Sequence, residues 1–171
     1  MMSAQIQVAI DGTPRTVASD SKPTLIFEEI YPDRVKPGAN CIVVCKINGV
    51  LRDLWTDLSD GDVIESIAIN SEEGLTVLRH STAHVLAQAV QETFAQTRLG
   101  IGPPIKDGFY YDFDPEKPFT PEDLTRLESV MKKIIKDGQR FKRRPITDSD
   151  ALKELAHEPY KCELVTLKSS D

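Results

Sequence analysis

His80 and His84 are the residues of this chain whose spacing points most directly to chemistry. Four positions apart on a helix, their rings project from one side about 6 Å apart, a separation that suits two grips on one substrate or joint ligation of a metal. At about 100° per residue that side lies nearly opposite the apolar positions Leu78, Val85, Leu86 and Ala89, which places both imidazoles outside the core. The pattern His-x-x-x-His is not specific by itself, and a solvated pair with no role is the plain alternative. A zinc site needs at least a third protein ligand, and neither His157 nor the cysteines stand at a recognisable metal spacing, so no metal site is expected.

The second candidate is a run of cations, Lys132, Lys133, Lys136, Arg140, Lys142, Arg143 and Arg144, interrupted by the single acid Asp137. On a chain of net charge -6 such a cluster suits phosphates, with binding that weakens steeply as salt rises. A solvated helix face is the competing reading. Tyr110 and Tyr111 point to opposite sides of an extended segment, so one can line a groove while the other packs inward. Cys41 and Cys45 flank the apolar run Ile42-Val43-Val44, which reads as a strand with both thiols on one face. They would then lie about 13 Å apart, too far for a disulfide or a shared metal, and read as buried inert thiols.

These side chains need a scaffold, and the composition bounds it. A chain of 171 residues, 40% hydrophobic and 28% charged, suffices for one ordinary domain or two small ones and is too short for a large multi-step enzyme. It is too apolar for a disordered chain, and no stretch approaches the ~20 apolar residues of a membrane helix. The start Met1-Met2-Ser3-Ala4-Gln5-Ile6 lacks the basic, apolar and small-residue regions of a secretory signal, so a cytoplasmic location is expected.

Two modules are expected, 1–70 and 71–171, joined near 70–74. In the first, alternation over 5–10, the turn Asp11-Gly12 and a return over 15–18 predict a β-hairpin. A helix follows, capped by Thr24 or Ser21 and stopped by Pro32. Further strands are predicted over 41–47, from Val50 beyond the Asn48-Gly49 turn, and over 63–69. A small mixed sheet covered by one helix suggests a β-grasp-like module. In the second module a helix is predicted over 73–94, an aromatic strand over 109–113, and a helix running from the Thr120 cap and Pro121 to Gly138. A short basic strand over 140–146 and a last helix over 148–156 complete it.

The words around the candidate residues are more specific than the residues alone. Arg79-His80-Ser81-Thr82-Ala83-His84-Val85-Leu86, then Leu99-Gly100-Ile101-Gly102-Pro103-Pro104-Ile105, then Asp107-Gly108-Phe109-Tyr110-Tyr111-Asp112 closely resemble, in order and spacing, the N-terminal region of bacterial threonyl-tRNA synthetases. The first module resembles the TGS domain that precedes the editing domain in that family. The resemblance implies an α+β chain, a TGS-like β-grasp module followed by an incomplete α+β editing domain. It implies proofreading of serine wrongly attached to threonine tRNA, because one missing methyl supplies only about 1–3 kcal/mol of discrimination in the synthetic site. His80 would position or deprotonate the attacking water, His84 would hold the tRNA 3′ end, and Lys161 would favour negative charge on the ester oxygen. Tyr111 and Gly102 would contact substrate.

The family completes this cleft with a Cys-x-x-x-His element, which does not occur in these 171 residues. The chain is therefore expected to be an N-terminal piece of a longer synthetase, monomeric by itself, from a parent that dimerises through its catalytic core. No cofactor is expected in this segment; ATP, magnesium and zinc are implied for the full-length enzyme outside it. The expected partners are threonine tRNA and mischarged seryl-tRNA. Three rivals stand: a free-standing trans-editing hydrolase, a zinc hydrolase built on the two histidines, and a non-catalytic RNA-binding module using the basic run.

Overall fold

Alternating polar and apolar residues near the start of the chain form β1 (Gln5–Ile10), which turns through Asp11-Gly12 and pairs antiparallel with β2 (Thr13–Ala18). Both turn residues have positive φ, 47° at Asp11 and 81° at Gly12, the backbone state that Asp-Gly hairpin turns supply at least cost. The computed structural model describes residues 4–140 and 144–168. It divides into two units, Met1–Leu78 and Arg79–Asp171.

In the first unit the hairpin is joined by β3 (Ile42–Ile47), β4 (Val50–Arg52) and β5 (Val63–Ala68). The strands lie in the order β2-β1-β5-β3-β4; β1 and β5 are parallel and the other pairs antiparallel, which makes the sheet mixed. Helix α1 (Pro23–Ile30) lays Ile26 and Phe27 against Val8, Ile10, Ile47 and Ile64, and these side chains form the core. Its cap is not the predicted Thr24 or Ser21. Lys22 occupies the cap without a side-chain bond, because Pro23 has no N–H to satisfy and the Thr24 N–H is met by the Leu54 carbonyl at 2.9 Å. The helix does end at Tyr31, before Pro32.

The predicted common face of Cys41 and Cys45 fails. Cys41 precedes β3, and an irregular register between Ile42 and Val44 against β5 interrupts the alternation that the prediction assumed. Cys45 is buried and Cys41 half-buried, and all the cysteines are free.

The second unit takes most of α2 (Glu72–Thr93), then β6 (Arg98–Leu99), β7 (Pro104–Ile105), β8 (Gly108–Phe109), β9 (Phe113–Asp114) and the helices α3 (Pro121–Asp137), α4 (Asp148–Glu154) and α5 (Pro159–Lys168). The whole is an α+β chain with one five-stranded mixed sheet and five helices among the described residues. Helix α3 starts with a capping box: Thr120 accepts from the Asp123 N–H, and the Asp123 carboxylate accepts from the Thr120 N–H. It ends at Gly138 with φ 61°. Its Leu127 and Ile134 pack on Ala89 and Val90 of α2, with Phe94, Phe113 and Phe119 filling the margin.

Two predictions in this half need correction, and one helix was not predicted. The aromatic segment is not one strand: β8 pairs back on β7, while β9 pairs with β6, because the chain leaves the tight Gly108 hairpin before meeting β6. No strand forms at Arg140 or over 144–147, where Pro145 has no N–H for a ladder, and residues 141–143 lie outside the described residues. Helix α5, which follows the predicted last helix, was not anticipated. Among the described residues no helix is long and apolar enough to cross a membrane.

Candidate functional site

Helix α2 presents His80 and His84 to solvent, stacked with ring centroids 4.8 Å apart and planes 22° from parallel. Both are exposed, as expected of residues outside the core, and of the positions expected on the opposite stripe Ala89 is buried while Val85 and Leu86 pack against its cluster. Leu78 is 40% exposed, and the buried positions are Ala83, Ala87, Ala89 and Val90. At about 100° per residue, His80 lies about 40° and His84 about 80° from the Ala83 and Ala87 line, and both lie nearly opposite Ala89.

Neighbouring atoms crowd the His84 ring even though the residue is open to water. This desolvation, followed by the charges of His80 and Lys161, holds its pKa below the ordinary histidine value. His84 is therefore neutral at pH 7, able to accept a proton or a hydrogen bond. Beside it lies a cleft of about 170 Å³ lined by Val85, Gln88, Ile134, Gly138 and Arg140 among others.

Lys161, in the first turn of α5, does not line that cleft, but its charge acts on His84. Its Nζ donates to the Gly100 carbonyl at 2.9 Å and to the Tyr111 hydroxyl at 3.4 Å. The Tyr111 ring stacks on Phe113 at 4.7 Å. Gly102 lies against the ring so closely that a Cβ there would stand 2.2 Å from Tyr111 Cδ2. Glycine is required at 102 by that approach, since no positive φ is involved. Tyr110, its sequence neighbour, is exposed. The structure thus brings Lys161, Tyr111 and Gly102 into contact and sets the Lys161 charge close enough to act on His84.

The basic run does not form one surface of unpaired charge. Lys132 pairs with Glu128 at 2.6 Å, and Arg144 holds both carboxylate oxygens of Glu154 at 2.8 and 2.7 Å. Lys133, Lys136 and Arg140 are exposed. Lys142 and Arg143 lie outside the described residues. Among the described residues no group of three His, Cys, Asp or Glu side chains is placed to hold a metal ion. The charge of Lys161 acts on His84, and Tyr111 contacts Lys161.

Sequence reasoning missed Glu158. Its carboxylate is buried and accepts hydrogen bonds from Gln91 of α2 and from the Leu99 N–H of β6. The available signal was Pro159, a residue suited to the first position of a helix.

No protein-family model matches the chain. Curated relatives do. A threonine–tRNA ligase of Thermobifida fusca is 52% identical over 164 residues, 96% of this chain and 24% of the relative. One from Streptomyces griseus is 58% identical over 134 residues, 78% of this chain and 20% of the relative. One from Bifidobacterium longum is 45% identical over 170 residues, 99% of this chain and 24% of the relative. The chain is homologous to part of a bacterial threonine–tRNA ligase. It spans about a quarter or less of the length of these threonine–tRNA ligases, so the similarity concerns a portion of that enzyme.

Proposed function

We propose that this chain is the N-terminal region of a threonine–tRNA ligase, a TGS-like β-grasp module and part of an editing domain, and that its second unit binds the tRNA acceptor end and takes part in hydrolysis of mischarged seryl-tRNA(Thr). The observation that carries the reading is the convergence of Lys161, Tyr111 and Gly102, with the Lys161 charge felt at His84. Such a group suits ester hydrolysis. Water attacks the seryl carbonyl carbon, the bond to the ribose oxygen breaks, serine leaves as its carboxylate, one proton of the water ends on the ribose hydroxyl and the other is released to solvent. His80 positions or deprotonates the water, and the neutral His84 accepts a hydrogen bond from the 3′-terminal nucleoside. The Lys161 ammonium, held on the Gly100 carbonyl, favours the charge that develops on the ester oxygen.

The parent activity implied by the homology is ligation of threonine to its tRNA in the cytoplasm, with ATP, magnesium and zinc bound outside this segment and with dimerisation through the catalytic core. This chain by itself is a monomer; a concentration-independent dimer in sedimentation would contradict that.

The test is release of serine from seryl-tRNA(Thr), with and without EDTA, by this chain and by a longer chain carrying the Cys-x-x-x-His element, each beside its His80→Ala variant. Chelator-insensitive hydrolysis lost in His80→Ala supports the reading. Hydrolysis undiminished in His80→Ala overturns it. A second reading, a non-catalytic RNA-binding module, is favoured by the exposed Lys133 and Lys136 at the end of α3. It predicts tRNA binding with a steep salt dependence and no ester cleavage in either chain.

A further inference from the structure

Glu158 is a buried carboxylate, 7% exposed, that the proposed chemistry does not use. It stands immediately before Pro159, the first residue of α5, and its carbonyl accepts from the N–H groups of Lys161 at 3.0 Å and Cys162 at 3.1 Å. Its side chain reaches out of the helix. One carboxylate oxygen accepts from Gln91 Nε2 of α2 at 2.8 Å, and the other accepts from the Leu99 N–H of β6 at 3.2 Å. One turn further on, Lys161 Nζ donates to the Gly100 carbonyl at 2.9 Å. The dipeptide Leu99-Gly100 is therefore gripped at its N–H by Glu158 and at its C=O by Lys161, two side chains three residues apart at the start of one helix.

A carboxylate at a helix N-terminus sits in the favourable end of the helix dipole, and hydrogen bonds to a charged acceptor are stronger than neutral ones. Removing a buried acceptor of this kind leaves its donors unsatisfied, so the grip is specific as well as strong. We propose that Glu158 is a positioning residue: by tying the first turn of α5 to α2 and β6, its carboxylate fixes where the Lys161 ammonium stands beside Gly100 and Tyr111. The role depends on reach. The substitution Glu158→Gln keeps the length of the side chain and an oxygen that accepts from Leu99, with the Gln91 amide reversed to present its own oxygen. The substitution Glu158→Asp keeps the charge at the helix end but falls one methylene short of Leu99 and Gln91.

This inference rests on the reading of Lys161 as a member of the hydrolytic cleft, but its test does not depend on hydrolysis. The groups facing His84 are His80 on its own helix, Lys161 from α5 and Arg140 beyond the end of α3. Glu158 is not among the groups that shift the His84 pKa, so the titration of His84 reports where the Lys161 charge is and not the loss of the Glu158 charge itself. The experiment is an NMR titration of the His84 ring in the 171-residue chain and in its Lys161→Met, Glu158→Asp and Glu158→Gln variants, with a thermal melt of each. Lys161→Met raises the His84 midpoint, Glu158→Asp raises it in the same direction, and Glu158→Gln leaves it near the parent value.

A Glu158→Asp chain with a lowered Tm and an unmoved His84 midpoint, while Lys161→Met moves it, means a purely structural contact and overturns the proposal. An unmoved midpoint in Lys161→Met overturns both the positioning and the placement of Lys161 at the histidine pair. The titrations behaving as expected, together with seryl-tRNA hydrolysis unaffected by Lys161→Met in a chain that is active, would remove the editing reading and leave the positioning role standing.

Discussion

The two units spend their polar side chains differently. In the first, the hairpin-turn residues secure the sheet. The Asp11 carboxylate accepts from the Ser66 N–H and from the Tyr31 hydroxyl, both at 2.8 Å, while Asn48 donates to Asp62 at 2.8 Å and accepts from the Val63 N–H at 2.9 Å. Those bonds surround a core in which Phe27, Ile10 and Ile64 are fully buried. In the second unit the strands are two residues long, and the polar contacts around the first turn of α5 go to Gly100, Tyr111, Leu99, Gln91 and Asp114. Extended pairing is sacrificed there, and side chains from distant segments converge. A sheet closed on its own core is a support, whereas short ladders joined through buried polar groups can hold a cleft open.

Five tests break or sharpen that contrast. Phe27→Ala has the largest expected effect, about 3–5 kcal/mol in urea unfolding of the first unit, because the closely packed core around it relaxes only partly into the cavity left under α1. Fluorescence of Trp55, the single tryptophan, follows that transition. Gly102→Ala acts on the cleft: the new methyl displaces the Tyr111 ring, at a cost of about 1–3 kcal/mol for overpacking. NMR of Tyr111 should show the ring moved, and an unmoved ring would mean that the Gly102 contact does not shape the site.

Thr120→Ala removes one half of the α3 capping box and costs about 1 kcal/mol in a thermal melt followed by circular dichroism. The smallest effect comes from pH. Because the folded-state pKa of His84 is lowered, the unfolded chain takes up a proton first as pH falls below the ordinary histidine value. Stability therefore declines from that value down to the folded pKa and is level below it with respect to this group. His84→Gln should flatten the decline across that window in melts taken at successive pH values. A thiol test separates the units further: burial, with Asp53 adding to it, pushes Cys45 up to about 12, so Cys45 stays protonated and resists alkylation in the folded state.

Much of the first unit was legible because its turns carry their own instructions. Asp11-Gly12 and Asn48-Gly49 adopt positive φ, and the strands on either side alternate as half-buried strands must. The α3 capping box was legible for the same local reason. The exposed histidine face was legible, but its opposite stripe was only partly so: Leu78 is exposed, while Ala83 and Ala87, which look neutral in a sequence, are buried. Helix α5 was missed because it has no buried residues, so no apolar stripe announces it. Glu158 was out of reach for another reason. Its partners lie 67 and 59 positions away, at Gln91 and Leu99, and no local pattern encodes a bond of that range. His80 and His84 came forward through their spacing and Tyr111 through the alternation of its segment, Gly102 and Lys161 only through the resemblance to a family, and the structure adds how Lys161, Tyr111 and Gly102 touch.

The central claim is that the cleft of the second unit receives the aminoacylated end of a tRNA. Its most direct test is an NMR titration of the chain with a 3′-serylamino-3′-deoxyadenosine, an amide analogue that cannot be hydrolysed. The account predicts saturable shifts at His80, His84, Gly102, Tyr111 and Lys161, absent from the five-stranded sheet and abolished in Lys161→Met. Shifts confined to the sheet, or to the lysines at the end of α3, would contradict it.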